Sequence, residues 1–204
     1  MKTIGHTLPG YRVNEYLLVL NPHEELHKKI LEVKKEFCQK FRITTGMGGN
    51  PQLALVNFAQ YGMMEERIIN SLRTLAMSFP PFKVELKDFG SFPSHTIYIK
   101  VTSKLPVQNL VRDIRAYGQR LMKLNDDMKP HFIMEPHFTI AGKLKPWQYE
   151  KGWLEYSSRH FTGRFIAYGM LLLKRPVEEL KYKVVQRFEF QNMPVTTTQG
   201  ELFG

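Results

Sequence analysis

Two short stretches of this chain look like copies of one another. PQLALVNF at 51–58 and PHFTIAGK at 136–143 each set a proline ahead of an apolar, strand-like run, and they stand 85 positions apart. A 204-residue chain that carries one unit twice has few ways to fold, because each copy must bury one apolar face against helices or against its twin. The same offset brings other elements into register. The helix start expected at Pro22 lands beside a second helix start at Pro106, and the helix from Glu65 lands inside the helix expected from Trp147. The strand from Phe82 lands inside an apolar run at 165–173, and the strand at 16–20 lands a few residues late against 96–101. The expectation is an α+β fold: two pseudo-twofold-related β-α-β-α-β lobes with antiparallel sheets flanking a central cleft. The lobes would span about 14–90 and 94–175, with a last strand at 184–190, all in one domain over 1–193. Residues 194–204 read as a flexible tail.

The local signals are ordinary ones. YLLVL at 16–20 is a continuous apolar run of strand length that stops at Asn21-Pro22. Asn21 then suits an N-cap, Pro22 the first helical position, and Glu24 and Glu25 the first turn. Leu26, Ile30, Val33, Phe37 and Phe41 make one stripe of a helix over 22–41, with Lys28, Lys29, Lys34 and Lys35 on its wet face. GMGGNP at 46–51 is a loop, and no Gly-Lys-Ser/Thr follows to make it a phosphate-binding P-loop. A second helix over 65–79 turns Ile68, Leu72, Leu75, Ala76 and Phe79 inward and ends at Pro80-Pro81. FKVELKD at 82–88 alternates like a half-buried strand. A third helix over 106–124 places Leu110, Ile114, Tyr117 and Leu121 inward. A fourth runs from 147 to about 160 despite Gly152, a poor helix former. Its Trp147, Tyr149, Trp153 and Tyr156 read as core packing ahead of base stacking.

Charge narrows the class of partner. Lys and Arg number 29 against 19 acidic residues, for a net +10 and a pI near 9.6. Such a surface attracts phosphates and nucleic acid at long range. The cations are spread along the chain, so a localised basic groove is expected and not a polybasic arm. A lone cysteine, Cys38, excludes an internal disulfide and a cysteine-based zinc site. MKTIGHTLPG has no apolar leader, and no apolar run approaches the ~18 residues of a membrane span. A cytoplasmic, membrane-free location is expected. His23 and His27 have a metal-compatible i, i+4 spacing without an evident third ligand, so no metal or other cofactor is expected.

The chemistry concentrates at 136–139. Residues i and i+2 of a strand share a face, so His137 and Thr139 project together. An imidazole gives or takes a proton near neutral pH, and a hydroxyl donates to a phosphate oxygen. That is half of a phosphoester-cleaving site. The other half would be a second His-x-Thr on a facing strand, one imidazole acting as base and the other as acid. With its PHFTI motif at 136–140, the FKVEL pattern at 82–86 and FGSFP at 89–93, the chain resembles the 2H phosphoesterase superfamily. These are the LigT-like proteins often labelled 2′-5′ RNA ligases, and the likeness runs from about 14 to 190. The resemblance implies a bilobal α+β fold and two His-x-Thr/Ser motifs. It also implies metal-independent cleavage of cyclic or 2′-5′ phosphodiesters, or RNA ligation.

Carried over residue by residue, the second motif falls on His137 and Thr139 and the first on Gln52 and Ala54. The first departs from the pattern at both functional positions. Glutamine hydrogen-bonds to phosphate but has no usable pKa, and alanine has no hydroxyl. Three readings follow: a module that binds RNA or nucleotide phosphates with reduced or lost phosphodiesterase activity, an altered phosphodiesterase that uses His137 as acid or base, and a non-catalytic protein-interaction scaffold. His95, which opens the strand 96–101, and Lys143 at the mouth of the cleft are candidate auxiliaries. His131 is a weaker one.

Overall fold

The computed structural model describes residues 9–43 and 50–193. The predicted tail at 194–204 and most of the predicted loop at 46–51 lie outside the described residues. In chain order the elements are β1 (Val13–Leu20), α1 (Glu24–Lys40), β2 (Leu53–Tyr61), α2 (Glu65–Ser78), β3 (Phe82–Phe92) and β4 (Thr96–Val101). There follow α3 (Lys104–Met122), β5 (His131–Phe132), β6 (His137–Ala141), α4 (Pro146–Tyr156), β7 (Thr162–Ala167), β8 (Gly169–Pro176) and β9 (Lys183–Glu189). The strands form two antiparallel sheets, ordered β5-β2-β1-β8-β9 and β6-β4-β3-β7. The predicted α+β class holds.

The sheets do not coincide with the two repeats. β3 closes the first repeat in sequence, yet it pairs with β4 and β7 of the second. β8 closes the second repeat and pairs with β1 of the first. Shifting β3 by 85 positions gives 167–177, the span of β8. The order β6-β4-β3-β7 is thus repeated as β2-β1-β8-β9. The helices follow the same exchange. α1 packs on β6 and β7 and α4 on β4, whereas α2 and α3 pack on each other and reach β9 and β2.

The apolar run at 165–173, read as one strand, is two. β7 alternates, with Phe165 and Ala167 buried and Ile166 exposed. β8 is apolar on both faces: Met170 and Leu172 enter the main core, and Leu171 and Leu173 join Val19 in a separate cluster on the other face. The chain passes between sheets at the exposed Tyr168, where the pattern changes period.

Smaller expectations also shift. α1 starts at Glu24 with His23 as an N-cap that makes no side-chain capping bond, so Asn21 and Pro22 precede the helix. Lys34, placed in water by the sequence stripe, is only 8% exposed. Tyr117, expected inward, is 55% exposed. The buried line of α3 runs through Val107, Leu110, Val111, Ile114, Gly118 and Met122, one position round from Tyr117. β5 falls where no strand was expected, and at two residues it is too short to show a period. Among the described residues no helix is long and apolar enough to cross a membrane.

Gly152, an apparent weak point of α4, is where the helix closes on the core. A Cβ there would lie 2.7 Å from Phe37 Cζ and 3.2 Å from Ile97 Cδ1. Phe37 is fully buried and packed edge-on against Tyr156, with ring centroids 4.9 Å apart. Gly152→Ala gains up to ~1 kcal/mol of helix propensity but overpacks a rigid ring at a cost of roughly 1–3 kcal/mol. Urea unfolding of this variant should show a net loss of up to about 2 kcal/mol once the full propensity gain is offset.

Candidate functional site

The strand pleat sorts the motif residues. In β6, Phe138 and Ile140 are buried, and His137 and Thr139 take the opposite face. β4 matches them: Ile99 and Val101 are buried, whereas Tyr98 lies across from Thr139 and Lys100 across from His137. The open face of this sheet therefore carries Tyr98, Lys100, His137 and Thr139 together. On the other sheet Leu53 and Leu55 are buried in β2, so Gln52 and Ala54, both half-buried, have the opposite parity. Ala54 lies across from Val19.

The two motif strands, β2 and β6, lie side by side although they belong to different sheets. The link between them is short. β5 pairs with β2 through Phe132–Val56 and His131–Asn57, and Ile133 N–H donates to the Leu55 carbonyl at 2.9 Å. β6 then begins at His137. A tether of residues 133–136 thus fixes β6 relative to β2. His131 is spent in that pairing and is exposed.

His137 is held on three sides. Its Nδ1 is 2.7 Å from the Glu135 carbonyl oxygen. A carbonyl only accepts, so Nδ1 carries the proton of the neutral ring and Nε2 keeps the lone pair. The ring packs edge-on to Phe92 at 5.0 Å and against Tyr98 at 4.9 Å. Burial lowers its pKa below the ordinary 6.5, against smaller upward pulls from the Glu135 carbonyl and carboxylate. At pH 7 the imidazole is neutral, with Nε2 a proton acceptor. Beside it opens a hollow of about 310 Å³ walled by Phe92, Tyr98, Lys100, Thr102, Lys104, Glu135 and His137. Lys104 also binds Glu135 at 2.7 Å. Gln52 and Ala54 are not among the residues that wall this hollow.

The auxiliaries lie at the other end of the motif strand. His95 sits in the β3–β4 turn, exposed, with Nδ1 2.7 Å from Thr96 Oγ1. Thr96 and Thr139 side chains both flank Gly142, so His95 approaches the threonine end of the motif. Lys143 follows the strand in a left-handed conformation, φ 53°, and is exposed. Cys38 is buried, which pushes its thiol up and away from nucleophilic use. No third His, Cys, Asp or Glu gathers with His23 and His27 among the described residues.

Residues 50–178 match the family model described as the 2′-5′ RNA ligase superfamily. The chain belongs to that superfamily. Its fold is also that of solved structures with little sequence in common. TT0787 of Thermus thermophilus is 19% identical, with a TM-score of 0.59 over 87% of this chain and 98% of that one. LigT of E. coli complexed with 3′-AMP is 14% identical, with a TM-score of 0.57 over 88% of this chain and 98% of that one. LigT complexed with NADP+ is 14% identical, with a TM-score of 0.57 over 88% and 99%. No curated protein matches the chain.

For this superfamily member, sequence reasoning missed the aromatic cradle and the lysines beside His137. The signal was present in TIYIKV, where Tyr98 and Lys100 share a face by parity. The cradle depends on Gly90, across from Tyr98. A Cβ at Gly90 would lie 2.6 Å from the Tyr98 ring. Followed by NMR, His137 should titrate with a midpoint below 6.5. Gly90→Ala should drive Tyr98 off, admit water and return the midpoint towards 6.5, at a stability cost of roughly 1–3 kcal/mol.

Proposed function

We propose that the cleft between the open sheet faces binds a phosphate of RNA or of a nucleotide, and that phosphodiester cleavage there is reduced or lost. The observation that carries this reading is the tethered imidazole: His137 offers Nε2 beside Lys100 and Lys104 at the hollow, with Thr139 next on the same face. The lysines supply positive charge and the hydroxyl a donor. LigT of E. coli, which shares the fold, has been crystallised with 3′-AMP, ATP and phosphate.

In-line cleavage of a phosphodiester asks for a base on the attacking oxygen and an acid on the leaving one. One imidazole fills one role. Gln52 donates or accepts a hydrogen bond but moves no proton, and Ala54 contributes nothing polar. Loss of one such partner removes about 10²–10⁴-fold of rate. A second reading, slow metal-independent phosphodiesterase activity with His137 as the base, is favoured by its tautomer. A neutral ring with the proton on Nδ1 and a free Nε2 is the form a general base needs.

The decisive assay incubates the protein with a 2′,3′-cyclic nucleotide without added metal. Under the binding reading there is no turnover, and nucleotide binds saturably and weakens as salt rises. Turnover that His137→Ala abolishes would establish the second reading instead. The double change Gln52→His, Ala54→Thr should raise cyclic phosphodiesterase rate by at least ~10²-fold. Absence of both turnover and binding in the wild-type protein would overturn the proposal. Any activity that uses His137 as a base should fall as pH drops below 6.5, because protonation removes the Nε2 lone pair.

A further inference from the structure

A second, wider cavity of about 930 Å³ opens where the chain crosses from β7 to β8. It lies off the motif strands, and its walls come from both sheets. Lys83, Arg164 and Ile166 project from the open face of one sheet, and Leu171 and Arg187 from that of the other. Tyr168, 68% exposed, stands at the crossing. The volume suits a nucleoside phosphate. The wall chemistry suits one too: apolar and aromatic surface for a base, with guanidinium groups on both sides for phosphate. Glu189 is the acidic residue on this wall.

The cavity connects with the His137 hollow. A shallow depression lined by Glu85, Lys87, Thr102 and Arg164 shares Thr102 with that hollow and Arg164 with the cavity. The three form one groove across the open face of the β6-β4-β3-β7 sheet. Gly90 lies across from Tyr98 and Lys83 across from Ile166, so at ~3.3 Å per residue the groove runs about 20 Å. Lys100, Lys87, Arg164 and Arg187 are spaced along it and form no ion pair among the described residues, while Lys83 is bound to Glu85 at 2.5 Å. Glu85 lies across from Arg164 and Asp88 feels the charge of Lys100, yet among the described residues no carboxylate closes on either within 4 Å, and cations repeated at intervals suit a polymer of phosphates.

We propose that this cavity is a distal subsite for single-stranded RNA, holding a base at Tyr168 and phosphates at Arg164 and Arg187, while another phosphate of the same strand lies at His137. The proposal rests on the phosphate-binding reading of the His137 hollow and adds a second site to it. A mononucleotide fills one site, and an oligonucleotide fills both.

The test compares a labelled six-nucleotide RNA bearing a 3′-phosphate with 3′-AMP, the latter followed through the His137 imidazole resonances. Wild-type protein should bind the oligonucleotide at least tenfold more tightly than 3′-AMP. Arg164→Ala with Arg187→Ala should weaken the oligonucleotide about tenfold or more and flatten its log–log salt slope by about 1.4, two phosphate contacts at ~0.7 each. Binding of 3′-AMP at His137 should not change. Tyr168→Ala should cost the oligonucleotide roughly tenfold, with the salt slope kept. All three side chains are exposed, and unchanged thermal melting checks the fold. Equal affinity for the two ligands, or oligonucleotide binding indifferent to the arginine pair and to Tyr168, would overturn the subsite and leave the His137 reading standing. Failure of both ligands to bind wild-type protein would overturn both readings.

Discussion

Neither sheet can be completed by one half of the chain. The pairing of β3 with β4, and of β8 with β1, makes the last strand of each repeat an interior strand of the other's sheet. An interior strand satisfies its backbone groups on both edges, so withdrawing it would leave two rows of unpaired N–H and C=O groups. The same exchange puts one helix from each repeat over each sheet. The phenyl and phenol rings of Phe37, Tyr156 and Phe89 join α1, α4 and β3 within ~5 Å centroid spacings. The wide cavity at the β7–β8 crossing depends on this arrangement, since its walls come from both sheets.

Within that groove the proton inventory of His137 is fixed by backbone geometry. The Glu135 carbonyl selects the tautomer, and Phe92 and Tyr98 exclude water from the ring faces. Desolvation then favours the uncharged ring. The result is a proton acceptor with Lys100 and the Lys104–Glu135 ion pair beside it. Glu135 matters twice, through its carbonyl on the imidazole and through its carboxylate on Lys104.

The fold was largely legible because its elements carry strong periods. The stripes of α1 and α2 and the alternation of β3 and β4 have few competing explanations, and the 85-residue offset tied them into halves. The exchange of last strands was not legible. β7 and β8 abut with Tyr168 alone between them, and continuous apolar composition hides a change of sheet. Lys34 and Tyr117 show the limit of stripe reading. A lysine stem is long and apolar enough to be buried where pattern reading puts it in water, and that burial lowers the Lys34 pKa; Gly118 carries the buried line of α3 without announcing itself as apolar. At the site, the parity of His137 with Thr139 and of Gln52 with Ala54 followed from pleat alone. The cradle of Phe92 and Tyr98 comes from a neighbouring hairpin, and only register places it beside the imidazole.

The tether between β5 and β6 decides how the spacing of the two motif strands responds to a change in chain length. Its four residues span from a ladder bond on β2 to the first residue of β6, so they behave as a spacer that sets how far β6 stands from β2. A residue inserted or removed between Ile133 and Pro136 would shift β6 bodily against β2. Replacing a side chain exposed on either strand leaves that spacing alone.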